Sequence, residues 1–502
     1  MALNLPLKKI HTEPSTPRDF DVIVYQESNH YYAKDKLGSL ICVDSPTACI
    51  QEGINYVVPL GGGTIYIKRG IYKINTYQQF GQGIDVPKNI DISIIGENPY
   101  TTKIVAGVSM DSLIMFRARS ATVKDITFDG NGIANVVVYV LNHDRDPAPI
   151  DYVEFKNVIM KRNNPNGIGW VFSVWDAYND TNNTGVFGID TVVVEDSEIR
   201  GPSSTNQDAV AFTFVDKVFI NRTKFIDLER VVNSYVVNYF NCKNSLFEGF
   251  KSYASLVIDR TLYAVIDSCV FRNNSEWAPI RIHIPFEVYI KSIYDDNEIM
   301  IEPTVPGTEV HNVTYPDKIA VAITDSVLSR ISIFGNYYDK LAVLKVERNM
   351  FVGRSSFGLL NIITPNNPII RNMVFKDNYI DMTNYRFFLN NFNGTATIKD
   401  SLFENNIIEN LKGNWQTVID PSTKVINNTG FLGINTGRAT IPAGTTSVVV
   451  NHGLICTPTK VLITPLARPP GPIWVSINNT SFTINTSTPT YTDLPVAWYA
   501  EC

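Results

Sequence analysis

The stretch KDITFDGN at residues 124–131 carries the pattern that decides the fold. An Asp or Asn comes first, a short strand follows that ends in a large apolar residue, and a polar turn rich in Asn completes the unit. The pattern returns as KNVIMKRNN (156–164), EDSEIRG (195–201), INRTKFIDL (220–228), KNSLFEGF (243–250), IDSCVFRNN (266–274), ERNMFVGR (347–354), RNMVFKDN (371–378) and KDSLFENN (399–406).

The large apolar residue of each unit recurs at intervals that are mostly about 22–39 residues, the period of supersecondary units that stack. These residues are Phe128, Met160, Ile199, Phe225, Phe247, Phe271, Phe351, Phe375 and Phe403. Apolar and polar residues alternate within a unit, as in Val123–Phe128, which is typical of a half-buried strand. Helical periodicity is nearly absent. The pattern predicts an all-β protein, a right-handed parallel β-helix whose core is a stack of like residues.

A β-propeller is the alternative for a repetitive all-β chain. Its blades recur evenly at about 40–45 residues, and the spacing here argues against it. A solenoid also needs caps at its two ends. Ser45 is placed to cap a short helix with Pro46 at its first position. The glycines 61–63 that follow open a strand and precede no Lys-Ser/Thr pair, which excludes a phosphate-binding loop.

The last part of the chain, about residues 436–502, has a different character. Stretches such as ATIPAGTTSVVVNHGL (439–454) and GPIWVSINNTSFTINTS (471–487) predict about six alternating strands in a small β-sandwich. We expect Trp474, Trp498 and Tyr499 to be exposed, either in a trimer core or as a platform for a ligand. Cys456 and Cys502 either form a bridge or remain two buried thiols.

Composition narrows the possible partners. Hydrophobic residues make up 44% of the 502 residues and charged residues 18%, as in a folded protein. The net charge of −6 gives no footprint for nucleic acid or for an anionic membrane, and no apolar run approaches the roughly 20 residues of a membrane span. Residues 1–15 lack the apolar core of a signal peptide, so we expect no general secretory export.

The short helix, GGGTIYIKRGIY (61–72) and the coils marked by DITFDGNG (125–132) resemble the start of pectate-lyase-like β-helices, especially those of viral tailspikes. The resemblance covers about residues 45–430. The segment 22–41 resembles a β-hairpin head that precedes such helices in viral proteins. Residues 436–502 are similar to C-terminal domains of phage and archaeal-virus fibres, which trimerise and sometimes hold sugars.

The resemblance implies three parts. These are a head and virion-attachment segment at 1–40, a β-helix with an N-terminal cap at 41–435, and a C-terminal β-sandwich for trimerisation or receptor binding at 436–502. It implies a homotrimeric virion spike or tail fibre that attaches to host surface glycans and contacts other tail or capsid proteins through its N-terminus. Scarce Gln with plentiful Ile and Tyr fits a thermophilic archaeal host, although the abundant Asn counts against it.

The longest departures from the repeat lie between Phe128 and Ile199 and contain the candidate sugar-binding residues. Aromatic faces stack on sugar rings while nearby carboxylates and amides bind hydroxyls. The candidates are Trp170, Trp175, Asp176, Tyr178 and, one coil later, Asp208. The alternative is that the tryptophans fill the core under a loop and the acids are solvated turn residues.

The rival hypothesis is an enzyme that degrades surface polysaccharide. Glycoside hydrolysis needs two carboxylates that flank the bond, and Asp176 with Asp208 is the best pair. Lyase chemistry needs a base and a cation beside a uronate, and Arg281 and His283 are candidates. We expect no metal or cofactor, since no ligand cluster is evident. A third class, an architectural surface-layer protein or adhesin, would need an export route.

Overall fold

The computed structural model describes residues 19–78, 81–143, 149–164, 166, 169–182, 186–201, 210–228, 232–250, 254–274, 280–283, 287–291, 293–295, 299–301, 309–310, 313–314, 319–334, 341–352, 358–363, 369–385, 387–391, 396–410, 417–420, 422–429, 433–454 and 457–501. The chain divides into two compact units, Met1–Arg230 and Val231–Cys502. Parallel strands dominate both units, and the chain is a right-handed parallel β-helix with a small N-terminal helix and a C-terminal β-sandwich, as the repeat predicts.

The first unit opens with three antiparallel strands beside the cap. They are Val22–Glu27, His30–Asp35 and Leu40–Val43. The first of them also pairs in parallel with Gly62–Ile67, the first strand of the first coil. The hairpin therefore extends the sheet of the β-helix. The division of the chain at residues 40 and 435, with the roles given to the end pieces, remains a prediction.

The capping helix begins later than the sequence predicts. It spans Ile50–Val57 and continues as a 3-10 turn, Val58–Leu60. Ser45 Oγ instead accepts the N–H of Cys49, and Cys49 has a left-handed backbone. A disulfide joins Cys49 to Cys42, a pair that the spacing of the cysteines does not predict. This turn, which the disulfide ties to the preceding strand, delays the start of the helix.

Each coil of the first unit has three strands, one on each of three faces. The first face holds Gly62–Ile67, Asp91–Gly96, Ser120–Lys124, Ile150–Lys156, Ile189–Glu195 and the second half of Val210–Asn221. The second face holds Gly70–Ile74, Thr102–Ala106, Thr127–Asp129, Ile159–Lys161, Glu198–Arg200 and Lys224–Ile226. The third face holds Gln82–Val86, Met110–Phe116, Ala134–Asn142, Trp170–Asp176 and the first half of Val210–Asn221. A short helix, Ala177–Asn182, follows the fourth strand of the third face.

The second unit repeats this plan. Its first face holds the second halves of Val232–Lys243 and Leu256–Asp267, then Glu287–Lys291, Ile319–Thr324, Leu341–Glu347, Met373–Lys376, Leu402–Glu404 and Lys424–Ile426. Its second face holds Leu246–Glu248, Val270–Arg272, Tyr294–Asp295, Val327–Leu328, Met350–Phe351, Tyr379–Asp381 and Ile407–Glu409. Its third face holds the first halves of the two long strands, then Ile280–Ile282, Ile299–Ile301, Ile331–Phe334, Gly358–Ile363 and Phe387–Asn391.

Smaller elements complete the second unit. They are the side sheet Ile369–Arg371, Ala396–Lys399 and Thr417–Ile419, the hairpin Glu309–Val310 with Val313–Thr314, and the 3-10 turn Met382–Asn384. The C-terminal sandwich has two antiparallel sheets, Ile434–Ile441, Leu494–Glu501 and Lys460–Pro465 against Ser447–Asn451, Ser481–Thr486 and Ile473–Ile477. Trp498 packs edge-on against Phe482 in its core, so the expectation that Trp498 is exposed is wrong, whereas Trp474 is exposed.

The predicted column of large apolar residues is correct in most coils. Register places Phe128, Met160, Ile199 and Phe225 on consecutive strands of the second face in the first unit. In the second unit Phe247 pairs with Phe271 in the same way.

Two residues of that column are misassigned. Phe375 and Phe403 pair with each other on the first face, while Ile380 is the partner of Phe351 on the second. Left-handed turn residues both precede and follow the strand of Phe375, at Asn372 and Asp377. The motif therefore recurs at two corners of one coil, and the sequence pattern did not separate them.

Candidate functional site

The candidate site lies on the third face of the first unit, where three consecutive coils carry apolar side chains outside the main core. Register places Met115 beside Tyr139 and Leu141 beside Trp175. Met115, Leu141 and Ala177 are buried, and Tyr139 and Trp175 pack against them while keeping part of their surface exposed. The core of a β-helix lies inside its coils, so an apolar cluster outside them is a feature that this core does not require.

A cleft of about 310 Å³ opens over the cluster, at the small end of the range found for ligand pockets. Its walls are mostly aliphatic and aromatic, and a few polar groups stand among them. Its lining is Asp111, Ser112, Met115, Arg117, Asn135, Val136, Tyr139, Leu141, His143, Trp170 and Trp175.

The indole of Trp175 is held in place by a hydrogen bond. Its Nε1 donates to Oδ2 of Asp180 at 2.9 Å. Asp180 lies in the short helix Ala177–Asn182, which directly follows the strand of Trp175. The indole is therefore oriented before any ligand arrives, which lowers the entropy that binding would cost.

Asp176 lies beneath the surface and positions this helix. Its Oδ1 accepts from Asn142 Nδ2 at 2.9 Å and from the Asn179 N–H at 3.2 Å. Its Oδ2 accepts from Asn179 Nδ2 and from the Gly188 N–H, both at 2.6 Å. Burial raises the pKa of the Asp176 carboxyl, and these hydrogen bonds lower it in part. The Asp176 side chain is fully buried, and its hydrogen bonds connect the helix Ala177–Asn182 to the neighbouring coils.

Polar side chains form the rim of the cleft. Asn135 Nδ2 donates to Asp111 Oδ1 at 3.2 Å, and Asn164 Nδ2 donates to Asn135 Oδ1 at 3.1 Å. Arg117 forms a two-point ion pair with Asp85, through Nε at 3.1 Å and through an amino group at 2.6 Å. Burial raises the pKa of the Tyr139 hydroxyl, which therefore stays neutral and able to donate. Amides, a carboxylate and a phenol are groups that bind hydroxyls.

The structure brings together two of the predicted sugar-binding residues. Trp170 and Trp175 line the cleft. Tyr178 lies half-buried in the short helix and does not line the cleft, and its carbonyl accepts from Asn182 Nδ2. Asp208 lies outside the described residues, so its pairing with Asp176 stays a prediction.

Arg281 and His283 lie together in the second unit. His283 Nδ1 stands 3.8 Å from Asp259 Oδ2, and an amino nitrogen of Arg260 stands 3.3 Å from the same oxygen. The Arg260 guanidinium also covers the ring of Tyr235, 4.8 Å from its centroid. Arg281 is largely buried on the neighbouring strand. His283 and Arg260 therefore stand beside one carboxylate, that of Asp259.

Sequence reasoning missed the floor of the cleft. Met115 lies in the apolar run LIMF at 113–116, and Tyr139 and Leu141 lie in the unbroken apolar run VVVYVL at 136–141. A run of this kind predicts a strand covered on both faces, but it does not say what covers the outer one.

In the part of the chain that the structure describes, no group of three or more His, Cys, Asp or Glu side chains is placed to hold a metal ion. The helices among the described residues are too short and too polar to cross a membrane.

Comparisons with known proteins find structural neighbours only. No family model matches the sequence, and no curated protein matches it. The chain is similar to the tailspike of E. coli bacteriophage HK620 in complex with a pentasaccharide, at 12% identity over 93% of this chain and 92% of that one, with a TM-score of 0.48. It is similar to the tailspike of Pseudomonas phage phi297, at 9% identity over 90% and 91%, with a TM-score of 0.42. An α-1,3-glucanase of Streptomyces thermodiastaticus also matches, at 11% identity over 76% and 65%, with a TM-score of 0.32.

Proposed function

We propose that this chain is a virion spike or tail-fibre protein that attaches to host surface glycans through the cleft on its third face. The observation that carries the glycan part is the pair Trp170 and Trp175 in one cleft with Tyr139. Indole and phenol faces pack on the apolar faces of sugar rings, and the amides and the carboxylate of the rim pair with hydroxyls. The fixed indole of Trp175 makes the arrangement ready for binding.

Apolar surface outside a core marks a site of contact, and sugar is the contact that this lining fits. A purely apolar partner would leave Asp111, Asn135 and Arg117 at the rim without a role. A fully polar partner would gain nothing from the buried Met115 and Leu141. A pyranose ring has both characters, because its two faces differ from its hydroxylated edge.

An array of purified microbial surface polysaccharides tests this function. The wild-type chain should bind at least one glycan, and Trp170→Ala and Trp175→Ala should each weaken that binding by about tenfold or more. Tyr100→Ala removes an aromatic ring that is 72% exposed elsewhere in the first unit, and serves as the matched control. A wild-type chain that binds no glycan, or tryptophan variants that bind as well as the control, would contradict the proposal.

The virion role and the homotrimer belong to the same proposal. Their support is the resemblance of the sequence to viral tailspikes, and we propose that the N-terminal segment contacts tail or capsid proteins. In this proposal the chain acts outside the host cell, on the surface of a virion. Immunogold labelling of purified virions tests the location, and its absence from virions would contradict it.

A second candidate is cleavage of the polysaccharide, and the Asp259–His283 pair favours it. A His beside a carboxylate can act as a base, and Arg260, beside the same carboxylate, supplies positive charge that a uronate would need. New ultraviolet absorbance from unsaturated uronates, lost in His283→Gln, would establish lyase activity. A polymer that stays intact after prolonged incubation would show binding without cleavage. Shortened chains that the wild type produces and Asp208→Asn does not would indicate hydrolysis.

A further inference from the structure

The cleft on the third face combines aromatic side chains from two neighbouring coils. Trp170 and Trp175 lie on the strand Trp170–Asp176. Tyr139 lies on the preceding coil beside Ser173, a position between the two tryptophans along the strand direction. All three aromatic residues line the cleft. Because an aromatic ring carries partial negative charge on its faces, three rings in one cleft favour a ligand with positive charge.

The charged groups of the lining leave one carboxylate without a cation. Arg117 forms a two-point ion pair with Asp85, and both side chains are mostly buried. Asp111 is exposed in the same lining, and among the described residues it takes part in no ion pair. Its Oδ1 accepts from Asn135 Nδ2 at 3.2 Å, which leaves capacity for further partners. The charge of Arg117 is therefore balanced, and that of Asp111 can balance a cationic ligand.

Asp180 increases the attraction of one indole for a cation. Its Oδ2 accepts from Trp175 Nε1 at 2.9 Å. A carboxylate at the N–H edge of an indole polarises the ring and raises the electron density on its faces. The same contact that fixes the orientation of Trp175 therefore also strengthens its interaction with positive charge.

The apolar part of the lining restricts the kind of cation. Met115, Val136 and Leu141 are buried and stand in the lining. A primary ammonium is strongly hydrated and would lose water against these side chains. A quaternary ammonium carries its charge beneath methyl groups, so it gains from the apolar walls and from the aromatic faces together. The cleft, with a volume of about 310 Å³, has room for such a group.

We propose that the cleft binds a quaternary ammonium group of the choline type, carried as a substituent on a host surface glycan. This inference rests on the proposed glycan binding and names its substrate class. The trimethylammonium group lies among Tyr139, Trp170 and Trp175, and Asp111 balances its charge at the rim. The sugar that bears the group packs on the exposed part of the indoles.

Saturation-transfer NMR titrations with three small molecules test the chemistry of the cleft. Choline is compared with dimethylbutanol, its uncharged tert-butyl isostere, and with ethanolamine, its primary ammonium counterpart. We expect choline to bind with a dissociation constant on the order of 1 mM, about tenfold more tightly than either of the others. Equal affinity for the isostere would show a merely apolar cleft, and equal affinity for ethanolamine would show a simple ion pair. Either result overturns the inference.

Two variants and a matched control assign the binding to the cleft. Asp111→Asn keeps an acceptor for Asn135 and removes the charge, so the dissociation constant of choline should rise by about threefold. Trp175→Ala should raise it by about tenfold or more. Asp151→Asn removes an exposed carboxylate from the first face of the same unit and should bind choline like the wild type. Equal affinities of the cleft variants and Asp151→Asn would overturn the inference.

A phosphatidylcholine bilayer carries the same quaternary ammonium group, so a last comparison separates the two carriers. Binding of a choline-substituted polysaccharide, displaced by free choline, supports the inference. Binding to phosphatidylcholine vesicles in place of the polysaccharide overturns it. Glycan binding on the array that depends on Trp175 would survive failure of each of these experiments, so failure of the inference is distinct from failure of the proposed function.

Discussion

Asn378 and Asn406, one coil apart in the second unit, are joined by two hydrogen bonds to a single oxygen. The backbone N–H of Asn378 donates to Asn406 Oδ1 at 3.0 Å, and Asn378 Nδ2 donates to the same atom at 2.9 Å. The same two contacts join Asn349 to Asn378 and Asn406 to Asn428. Each Nδ2 also donates to a backbone carbonyl, as Asn378 does to Val346 O. The amides form a buried ladder that pairs backbone groups at one corner of the coils.

Asn378→Ala should therefore destabilise the second unit. It removes the acceptor of the Asn349 N–H and the donor to the Val346 carbonyl, both in a buried setting. Because buried backbone groups without partners are costly, we expect a loss of about 3 kcal/mol in the free energy of unfolding, measured by urea denaturation. Asn241→Ala removes a half-buried hydrogen bond to Tyr239 Oη and is the control. Equal losses in both variants would show that the ladder has no special role.

The hydrogen bond from Trp175 to Asp180 should affect glycan affinity without a contact between Asp180 and the glycan. Asp180→Ala frees the indole, and fixing it again on binding would cost about 0.5–1.5 kcal/mol. We expect the dissociation constant to rise by about threefold to tenfold. Asp180→Asn keeps an acceptor oxygen and should restore most of the affinity. Titration calorimetry with a glycan selected on the array measures both, and equal affinity for Asp180→Ala and wild type would contradict this positioning role.

The raised pKa of Asp176 makes the free energy of unfolding depend on pH in a specific direction. Burial raises the pKa of its carboxyl above the ordinary value of 3.8, so the folded chain holds this proton to higher pH than the unfolded chain does. Stability from this group is thus greatest below the unfolded pKa and falls as pH rises through the folded pKa. Since Asp176→Asn does not titrate, the stability of the wild type relative to this variant should decrease as pH rises from about 4. Urea midpoints across pH 4–8 give the comparison; an increase instead would show that the fold favours the carboxylate.

The homotrimer predicts a particle mass of three times the 56.2 kDa of one chain. Light scattering after size exclusion at micromolar concentration measures it directly. A trimer that persists on dilution supports the spike proposal. A clean monomer would contradict that assembly and leave the cleft as a site on a single chain.

The sequence predicted the fold better than the site. The column of Phe128, Met160 and Ile199 was correct because alternation and spacing depend on local strand geometry. Phe375 was misplaced because Asn372 and Asp377 are both left-handed turn residues, so the same local motif occurs at two corners of a coil. Local pattern specifies a strand and its turn, and only stacking against neighbouring coils decides which face the strand occupies.

The sequence likewise predicts some residues of the candidate site and not others. Trp170 and Trp175 stood out because large aromatic residues interrupt the repeat. The burial of Asp176 depends on Gly188, twelve residues later, and on Asn142 of the preceding coil. Such relationships arise from register between coils, which sequence spacing alone does not determine.

A structure of this chain with a bound glycan from the array tests glycan attachment at the cleft most directly. We predict that a sugar ring packs against Trp170 or Trp175, with hydroxyls near Asn135 and Asp111 at the rim of the cleft. Density for the glycan on any other surface, with the cleft of the third face empty, would contradict the proposed binding site.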